Sequence, residues 1–401
     1  MHERMPRVLS LLPLIGHPRD SKRIAMLQEA GCTVEALAFE RDYHQGRLPT
    51  CPVTSLGRIP HGQYLRRAFR LLASLPTIRS ALRRNDVAYA SGADMALAGI
   101  VAGLGLGRPM VLEVGDIRRV QIAKGWQGAL ARSLDRFIAR RSRLLVVTAP
   151  GFVDGYYRAR LHQEIPSLVV ENKLDELAMP APAARTRKPP LKTPDGSRRP
   201  IRIGYFGVLR CDWSWRLLES MARSHPQDVA IVAAGYPMSP ADLPERAKGL
   251  ANVEYLGHYK SPQDLPAMYA RVDIVWMCYP APALRDPDWR WAQEVCRSNR
   301  FYESGYFRTP TIALAGGADG QEVERLGIGL TLSDPGDEAV IQAIRAITDE
   351  DLLGWQRNLE ALPRSVFVYT DEAERLGAAL ADIVQRGMPS GSATPGPGAH
   401  A

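Results

Sequence analysis

Ser298-Asn299-Arg300-Phe301-Tyr302-Glu303-Ser304-Gly305-Tyr306-Phe307-Arg308-Thr309-Pro310-Thr311-Ile312-Ala313-Leu314 joins a cation and a carboxylate to a turn and an apolar run. Ser298 to Ser304 reads as a short helix with Arg300 and Glu303 on one face, because residues three apart are neighbours on a helix surface. Gly305 to Pro310 stops that helix, and Thr311 to Leu314 resembles a strand of an α/β sheet. An arginine near a helix N-terminus can hold a diphosphate, since unpaired backbone N–H groups already favour an anion there. A carboxylate one turn later can accept hydrogen bonds from ribose or sugar hydroxyls. An ordinary Arg–Glu surface pair has the same spacing, so the surrounding chain decides.

Outward from this stretch the same beat recurs. Ile201 to Phe206, Val229 to Ala233, Val253 to Leu256 and Ile274 to Cys278 read as strands, with helices at Trp215 to Ser224 and Leu265 to Ala270. The first half has strands at Arg7 to Leu14, Thr33 to Phe39, Val87 to Ala90, Met110 to Val114 and Leu144 to Thr148. Between them fit helices at Ser21 to Ala30 and Met95 to Leu106, and a basic helical stretch at Tyr64 to Arg84 interrupted at Pro76. Strands separated by helices give parallel sheets covered on both faces. The expected fold is α/β: two doubly wound Rossmann-like domains facing a central cleft, residues 1–177 and 201–370. Residues 178–200, rich in Ala, Pro and basic side chains, read as a flexible linker or insertion. Residues 371–386 form a terminal helix that can pack back on the first domain, and 387–401 a flexible tail rich in Gly, Pro, Ser and Ala.

Composition supports two cores. At 401 residues with 45% hydrophobic content, the chain exceeds the usual span of one core and is of ordinary globular type. Lys plus Arg number 51 against 43 Asp plus Glu, a net charge of +8, with the excess clustered around Arg66-Arg67, Arg83-Arg84, Arg118-Arg119 and Arg132 to Arg143. Anionic substrates, an anionic membrane surface and nucleic acid all suit that charge. No recognition helix or single-strand motif accompanies the arginines, so no specific nucleic-acid partner is expected. Five cysteines, Cys32, Cys51, Cys211, Cys278 and Cys296, show neither close pairing nor metal-ligand spacing, which points to the cytosol. Val8 to Ile15 after a charged start looks like a short signal peptide, but Pro13 and the missing small-residue cleavage site favour a first strand and its loop. Met95 to Gly107 is too short to span a bilayer.

Two βα domains, the opening Gly204-Tyr205-Phe206-Gly207 and the pattern Asn299-Arg300…Glu303…Gly305…Pro310 together resemble the two-Rossmann-domain (GT-B) nucleotide-sugar-dependent glycosyltransferases. Within them the chain is most similar to the broad family-four-like bacterial enzymes of polysaccharide and glycoconjugate synthesis. The outline covers residues 7 to 384, with residue-level likeness concentrated in the second half. The resemblance implies a donor held mainly by the C-terminal domain and an acceptor by the N-terminal one. It gives Arg300 the diphosphate and Glu303 the donor ribose or sugar, and makes Gly316-Gly317-Ala318-Asp319-Gly320-Gln321-Glu322 the donor-side loop. Gly317, Asp319 and Gln321 of that loop are the donor-binding candidates. The family's glutamate pair departs here, since Glu294 and Glu303 stand nine positions apart, not eight.

Charge developing on a departing diphosphate can be stabilised by arginines and backbone amides without a protein-bound metal, so no metal or cofactor beyond the nucleotide diphosphate sugar is expected. Arg210, following Gly207 at a strand end, is the second phosphate candidate; a basic surface residue after a structural glycine explains it equally. On the acceptor side, Asp116 follows the strand end at Val114-Gly115, where it can orient an acceptor hydroxyl or take its proton. Glu113 can share that catalytic role or serve as a structural ion partner. Arg19 and Arg118 are candidates for contact with a charged acceptor. Asp20 can reach the same cleft or cap the Ser21 to Ala30 helix. His17 is a candidate base, though a histidine beside proline is commonly structural. Tyr205, Phe206, Trp213 and Trp215 offer a face for a base or sugar, with Trp213 the member expected at the surface.

From Trp126 to Arg143, Trp126, Leu130, Leu134, Phe137 and Ile138 follow helical spacing while Arg132, Arg136 and Arg140 hold another face. Such a helix docks on the core, the simpler expectation, or lies on an anionic membrane. The resemblance extends the second option to a lipid-linked saccharide acceptor and a peripheral place on the cytoplasmic face of the inner membrane. A soluble glycan or small-molecule acceptor, or noncatalytic nucleotide-sugar binding, fits the same residues.

Overall fold

The computed structural model describes residues 4–40, 48–59, 64–180, 189–193, 195–279, 291, 295–333 and 335–387. The first half is a seven-stranded parallel sheet of β1 (Arg7–Leu12), β2 (Thr33–Glu40), β3 (Val53–Arg58), β4 (Val87–Ser91), β5 (Met110–Val114), β6 (Leu144–Val147) and β7 (Ser167–Val169) in the order β3-β2-β1-β4-β5-β6-β7. The second is a six-stranded parallel sheet of β8 (Ile201–Leu209), β9 (Val229–Pro237), β10 (Val253–Tyr255), β11 (Ile274–Trp276), β12 (Thr311–Leu314) and β13 (Gly329–Leu332) in the order β10-β9-β8-β11-β12-β13. Both reverse direction beside their first strand, at β1/β4 and β8/β11. Crevices for ligands open there, at the carboxyl ends of the strands.

Each sheet is buried on both faces, so its central strands are continuous apolar runs. In the first half, α1 (Pro18–Glu29) and the last helix α13 (Glu372–Gly387) bury Ile24, Leu27, Leu376 and Leu380 on one face. The other face carries α2 (Tyr64–Arg84), α3 (Ala93–Ala102), the short α4 (Arg119–Ile122) and α5 (Trp126–Arg141). A π-helical turn, Phe152–Arg158, completes that layer. The second sheet is covered on one side by α6 (Asp212–Ser224), α7 (Leu243–Lys248) and, later in the chain, the helix Asp337–Arg345. On its other side lie α8 (Leu265–Ala270), α9 (Asn299–Tyr306) and α10 (Ala318–Leu326). The Asp337–Arg345 helix is α11, and α12 (Asp349–Ala361) follows it.

The chain crosses between the halves twice, side by side. Leu174 N–H donates to Phe367 O at 2.9 Å and Tyr369 N–H to Leu174 O at 3.0 Å. Helix α13 then returns to the first half, held by Lys173–Glu372 at 2.8 Å, Arg375 to Val169 O at 3.0 Å and Tyr369 to Glu29 at 3.0 Å.

Several local expectations are corrected. Helix α1 begins at Pro18, whose fixed φ suits the first helical position, with His17 as N-cap; Asp20 lies inside the first turn and does not cap it. Helix α2 continues through Pro76, because burial of Ile78, Ala81 and Leu82 outweighs the missing N–H. Gly305 lies within α9, where a Cβ would overlap the Phe367 ring, and the stop falls at Phe307 and at Arg308 with its left-handed φ of 53°. Tyr205, Phe206, Trp213 and Trp215 are all core; Trp213 is in the first turn of α6, 5.7 Å from the Trp276 ring. Residues 189–193 and 195–200 are fixed to the second half, with Leu191 and Lys192 N–H donating to Asp349 at 2.5 and 3.0 Å. Of the apolar stripe of α5, Ile138 enters the core and the other four members do not. Trp126, Leu130, Leu134 and Phe137 are 74, 63, 38 and 41% exposed, while Gly128, Asp135, Ile138 and Ala139 face inward. A small residue is needed on the inner face because a Cβ at Gly128 would overlap the Ala123 carbonyl. Glu294 and the expected tail after Gly387 lie outside the described residues.

Gly305→Ala is expected to destabilise the protein by about 1–3 kcal/mol through overpacking against Phe367. Thermal unfolding checks this, and a second change, Phe367→Leu, should recover part of the loss in the Gly305→Ala background.

Candidate functional site

The site lies between the two switch points. From the second half, Gly207 lies near the carboxyl end of β8 and Arg210 follows that strand, Tyr279 follows β11, and Gly316-Gly317 leads into α10. Arg300 is the second residue of α9 and is buried, 5% exposed. Its Nε donates to Phe206 O, which takes one donor and leaves the terminal Nη groups beside Gly207 and Tyr279. Gly207 has φ +106°, a backbone conformation that favours glycine, and a Cβ there would sit 3.1 Å from Arg300 Nη2, pressing on the guanidinium. The guanidinium carbons of Arg300 and Arg210 lie 4.6 and 5.9 Å from the centroid of the Tyr279 ring. Two cations thus converge on one aromatic ring.

Glu303 is buried one turn after Arg300 and accepts a 3.0 Å hydrogen bond from Tyr269 OH. Burial raises its pKa, opposed by that hydrogen bond and by the charges of Arg300 and Lys22. Asp319 holds the start of α9, accepting Ser298 N–H at 3.0 and 3.3 Å; burial raises its pKa against Ser298, Arg297 and Arg300. Gln321 is turned back on its own loop, with Nε2 donating to Gly316 O at 3.1 Å and its N–H to Gly317 O at 2.8 Å. Gly317 is the N-cap of α10, whose first N–H groups open towards the cleft side of β12.

From the first half, Asp116 follows β5. Its side chain is open to cleft solvent yet hemmed in by atoms of both halves. Burial raises its pKa, opposed chiefly by Arg210 and Arg19, so a carboxylate of one domain feels a cation of the other. Arg19 lies across Gly115, where any Cβ would overlap its guanidinium, and is 3.6 Å from Glu113 and 3.9 Å from Asp20. Glu113 is fully committed inside the domain: Arg23 donates to it at 3.0–3.3 Å and Tyr89 OH at 2.5 Å. That geometry corrects a direct catalytic role for Glu113, because its oxygens face the core partners of α1 and β4. Asp20 accepts from Ser91 OH at 2.8 Å and lies 3.4 Å from His17 Nδ1. Burial acts to raise the Asp20 pKa, but His17, Arg19 and Ser91 prevail and hold it low. Arg118 begins α4 at the exposed rim, its N–H donating to Gln121 at 2.6 Å.

Three residues outside the sequence reading enter the site. Tyr279 had a signal, an aromatic directly after an apolar strand. Arg297 joins the halves, bonding Glu171 at 2.9 Å, while Asn172 donates to Asn299 at 2.5 Å. Lys22 of α1 donates to the crossing segment at Asn172 O, 2.9 Å away, and at Lys173 O. Burial and the neighbouring Arg23 bring its pKa down to about 7, against the pull of Asp175 and Glu113. Neither Lys22 nor Arg297 carries a local signal, since only the return of α9 beside residues 171–173 gives them partners. Among the described residues, no three His, Cys, Asp or Glu side chains form a group that could hold a metal ion.

Glu303→Gln is expected to keep or raise the melting temperature at neutral pH, because the raised carboxyl pKa marks a cost of burying the charge. The sign follows from linkage: the folded state favours protonated Glu303, so the advantage of Gln should shrink as pH falls through the carboxyl pKa. Thermal unfolding across pH, with Glu303→Gln beside the wild type, checks it.

Comparison with known proteins agrees with this layout. Residues 23–172 match the family model described as a glycosyl transferase 4-like domain. A succinoglycan biosynthesis protein, ExoL of Rhizobium meliloti, is 26% identical over 352 residues, covering 86% of this chain and 85% of that protein. Among solved structures, HepE of Anabaena in complex with UDP superposes with a TM-score of 0.67 at 16% identity, over 94% of this chain and 100% of its own. Sucrose-phosphate synthase of Thermosynechococcus elongatus gives 0.67 at 15% identity, over 95% and 100%. At those identities the structures speak for the fold, two Rossmann-like domains around a cleft. With a glycosyl transferase 4-like domain at residues 23–172 and the curated relative along most of its length, the chain is similar to the family-4-like glycosyltransferases, on a fold of the GT-B type.

Proposed function

We propose that the cleft transfers a sugar from a nucleotide diphosphate donor, seated on the second domain, to a hydroxyl of a lipid-linked saccharide in exopolysaccharide synthesis, at the cytoplasmic face of the membrane. The observation that carries the donor assignment is the convergence of Arg210 and Arg300 on Tyr279, across the cleft from Asp116. The acceptor oxygen attacks the anomeric carbon, the bond from that carbon to the diphosphate oxygen breaks, and the diphosphate leaves with the electron pair. Arg300 and Arg210 stabilise the charge gathering on it, and the backbone at Gly207 and Gly317 approaches it closely. Glu303 accepts hydrogen bonds from donor ribose or sugar hydroxyls. Asp116 orients the acceptor hydroxyl and takes its proton. Arg19, seated over Gly115, and Arg118 at the rim receive an anionic part of the acceptor. The role in exopolysaccharide synthesis is supported by the relative named for succinoglycan biosynthesis, and a nucleotide donor by the UDP complex of the similar structure.

Arg300→Ala is expected to lower kcat/KM by about 100-fold to 1000-fold, the scale of a lost charge-stabilising donor. Steady-state transfer assays measure it, and full activity would remove the phosphate assignment. Asp116 acts as a base only when ionised, so its raised pKa moves the acid limb of the kcat/KM profile above the ordinary aspartate value of about 3.9. In Asp116→Asn that limb should vanish, with kcat lower by about 100-fold or more. Normal turnover at saturating acceptor would rule out the proton-accepting role.

A further inference from the structure

Four large apolar side chains of α5, Trp126, Leu130, Leu134 and Phe137, form one exposed stripe at helical spacing, about 16 Å long at 1.5 Å per residue. Phe69 and Leu72 of α2, in the same helical layer, are 72 and 61% exposed. The exposed charges of α5 itself are of one sign. The acidic residue of α5, Asp135, is turned inward, where Gln121 donates to it at 2.8 Å and Tyr156 OH at 2.5 Å. The basic residues of α5 meet neutral acceptors. Arg132 donates to Ala123 O at 2.8 Å, Arg136 to Leu161 O at 3.1 Å and Arg140 to Gln163 at 3.1 Å, while Arg141 lies 5.1 Å from the Phe137 ring. Helix α2 contains six arginines and no acidic residue, although Arg67 pairs with Asp94 at 2.5 Å and Arg84 with Glu35 at 3.1 Å. Among the described residues no helix is long and apolar enough to cross a membrane.

We infer that this face is a membrane-docking surface for an anionic bilayer, with α5 lying along the headgroup boundary. The stripe enters the acyl edge, and Arg140 and Arg141, exposed at the carboxyl end of α5 beside a neutral amide and an aromatic ring, meet lipid phosphates. Charge complementarity selects an anionic lipid surface over a neutral one. The surface is also placed for delivery. Asp116 precedes Arg118, the cap of α4, and Trp126 follows ten residues after Asp116, so the amino end of the stripe lies at the same sheet edge as the acceptor side of the cleft. This orientation rests on the lipid-linked acceptor reading: a carrier held in the bilayer would present its saccharide at the Asp116 rim.

Sedimentation with vesicles tests the surface without turnover. The purified chain should bind phosphatidylglycerol-containing vesicles, bind phosphatidylcholine vesicles much less, and detach as ionic strength rises. Leu130→Glu with Phe137→Glu should weaken binding at least about tenfold, with the melting temperature unchanged because both side chains are exposed. Brominated phosphatidylglycerol should quench a tryptophan component that is absent from Trp126→Phe, a readout that does not depend on the glutamate variant folding. Equal binding by wild type and the glutamate variant overturns the proposal, as does a solution dimer held by α5 that ignores anionic vesicles. Vesicle binding without sugar transfer would contradict the proposed function and leave the docking surface standing.

Discussion

The bond from Arg300 Nε to the Phe206 carbonyl ties helix α9 to the end of β8, and the chemistry of the cleft depends on it. It buries a guanidinium at the switch point of the second sheet, where strand ends already open a crevice. A buried cation is stable only with partners or with an anion to receive. Here the fixed partner is a neutral carbonyl, and Glu303 and Asp319 contribute at longer range. The Arg300 guanidinium shares the Tyr279 ring with Arg210. On the proposed function such a site is arranged in advance for a diphosphate, so that little reorganisation would accompany charge transfer. Gly207 makes the arrangement feasible, since a side chain there would crowd both backbone and guanidinium.

The halves meet through few polar contacts, concentrated where the chain crosses. Arg297 to Glu171, Asn299 to Asn172 and the Lys22 amine on the carbonyls of residues 172 and 173 lie within one patch. All three bear on the amino end of α9 or the segment beside it. The helix that positions Arg300 is therefore also the helix that registers the first domain. Helix α13, returning to α1, makes the second crossing and limits the separation of the halves.

Much of the fold was legible because parallel strands buried on both faces are short apolar runs between punctuating residues. Met110–Val114, Thr311–Leu314 and Leu265–Ala270 have the bounds their patterns imply. Arg300, Glu303 and Asp116 were legible as strand-end and helix-start groups that the topology carries to one cleft. What escaped depends on non-local packing. Gly305 looks like a helix stop until Phe367 is laid on it, and Asp20 looks like a cap until Pro18 takes the first helical position. The stripe of α5 has the period of a core helix. Its outward direction is set by Gly128 and Asp135, whose partners Ala123, Gln121 and Tyr156 belong to neighbouring elements. Lys22 has no sequence signal, since its environment exists only when residues 172 and 173 pass over α1.

Calorimetric titration of the purified chain with uridine-, guanosine- and thymidine-diphosphate sugars, and with the matching nucleotides, tests the central claim most directly. One base class should bind with micromolar affinity, with much of that affinity retained by the nucleoside diphosphate alone and lost in Arg300→Ala. A folded protein that binds none of them, with or without a saccharide acceptor present, would contradict a diphosphate site built on Arg300 and Tyr279.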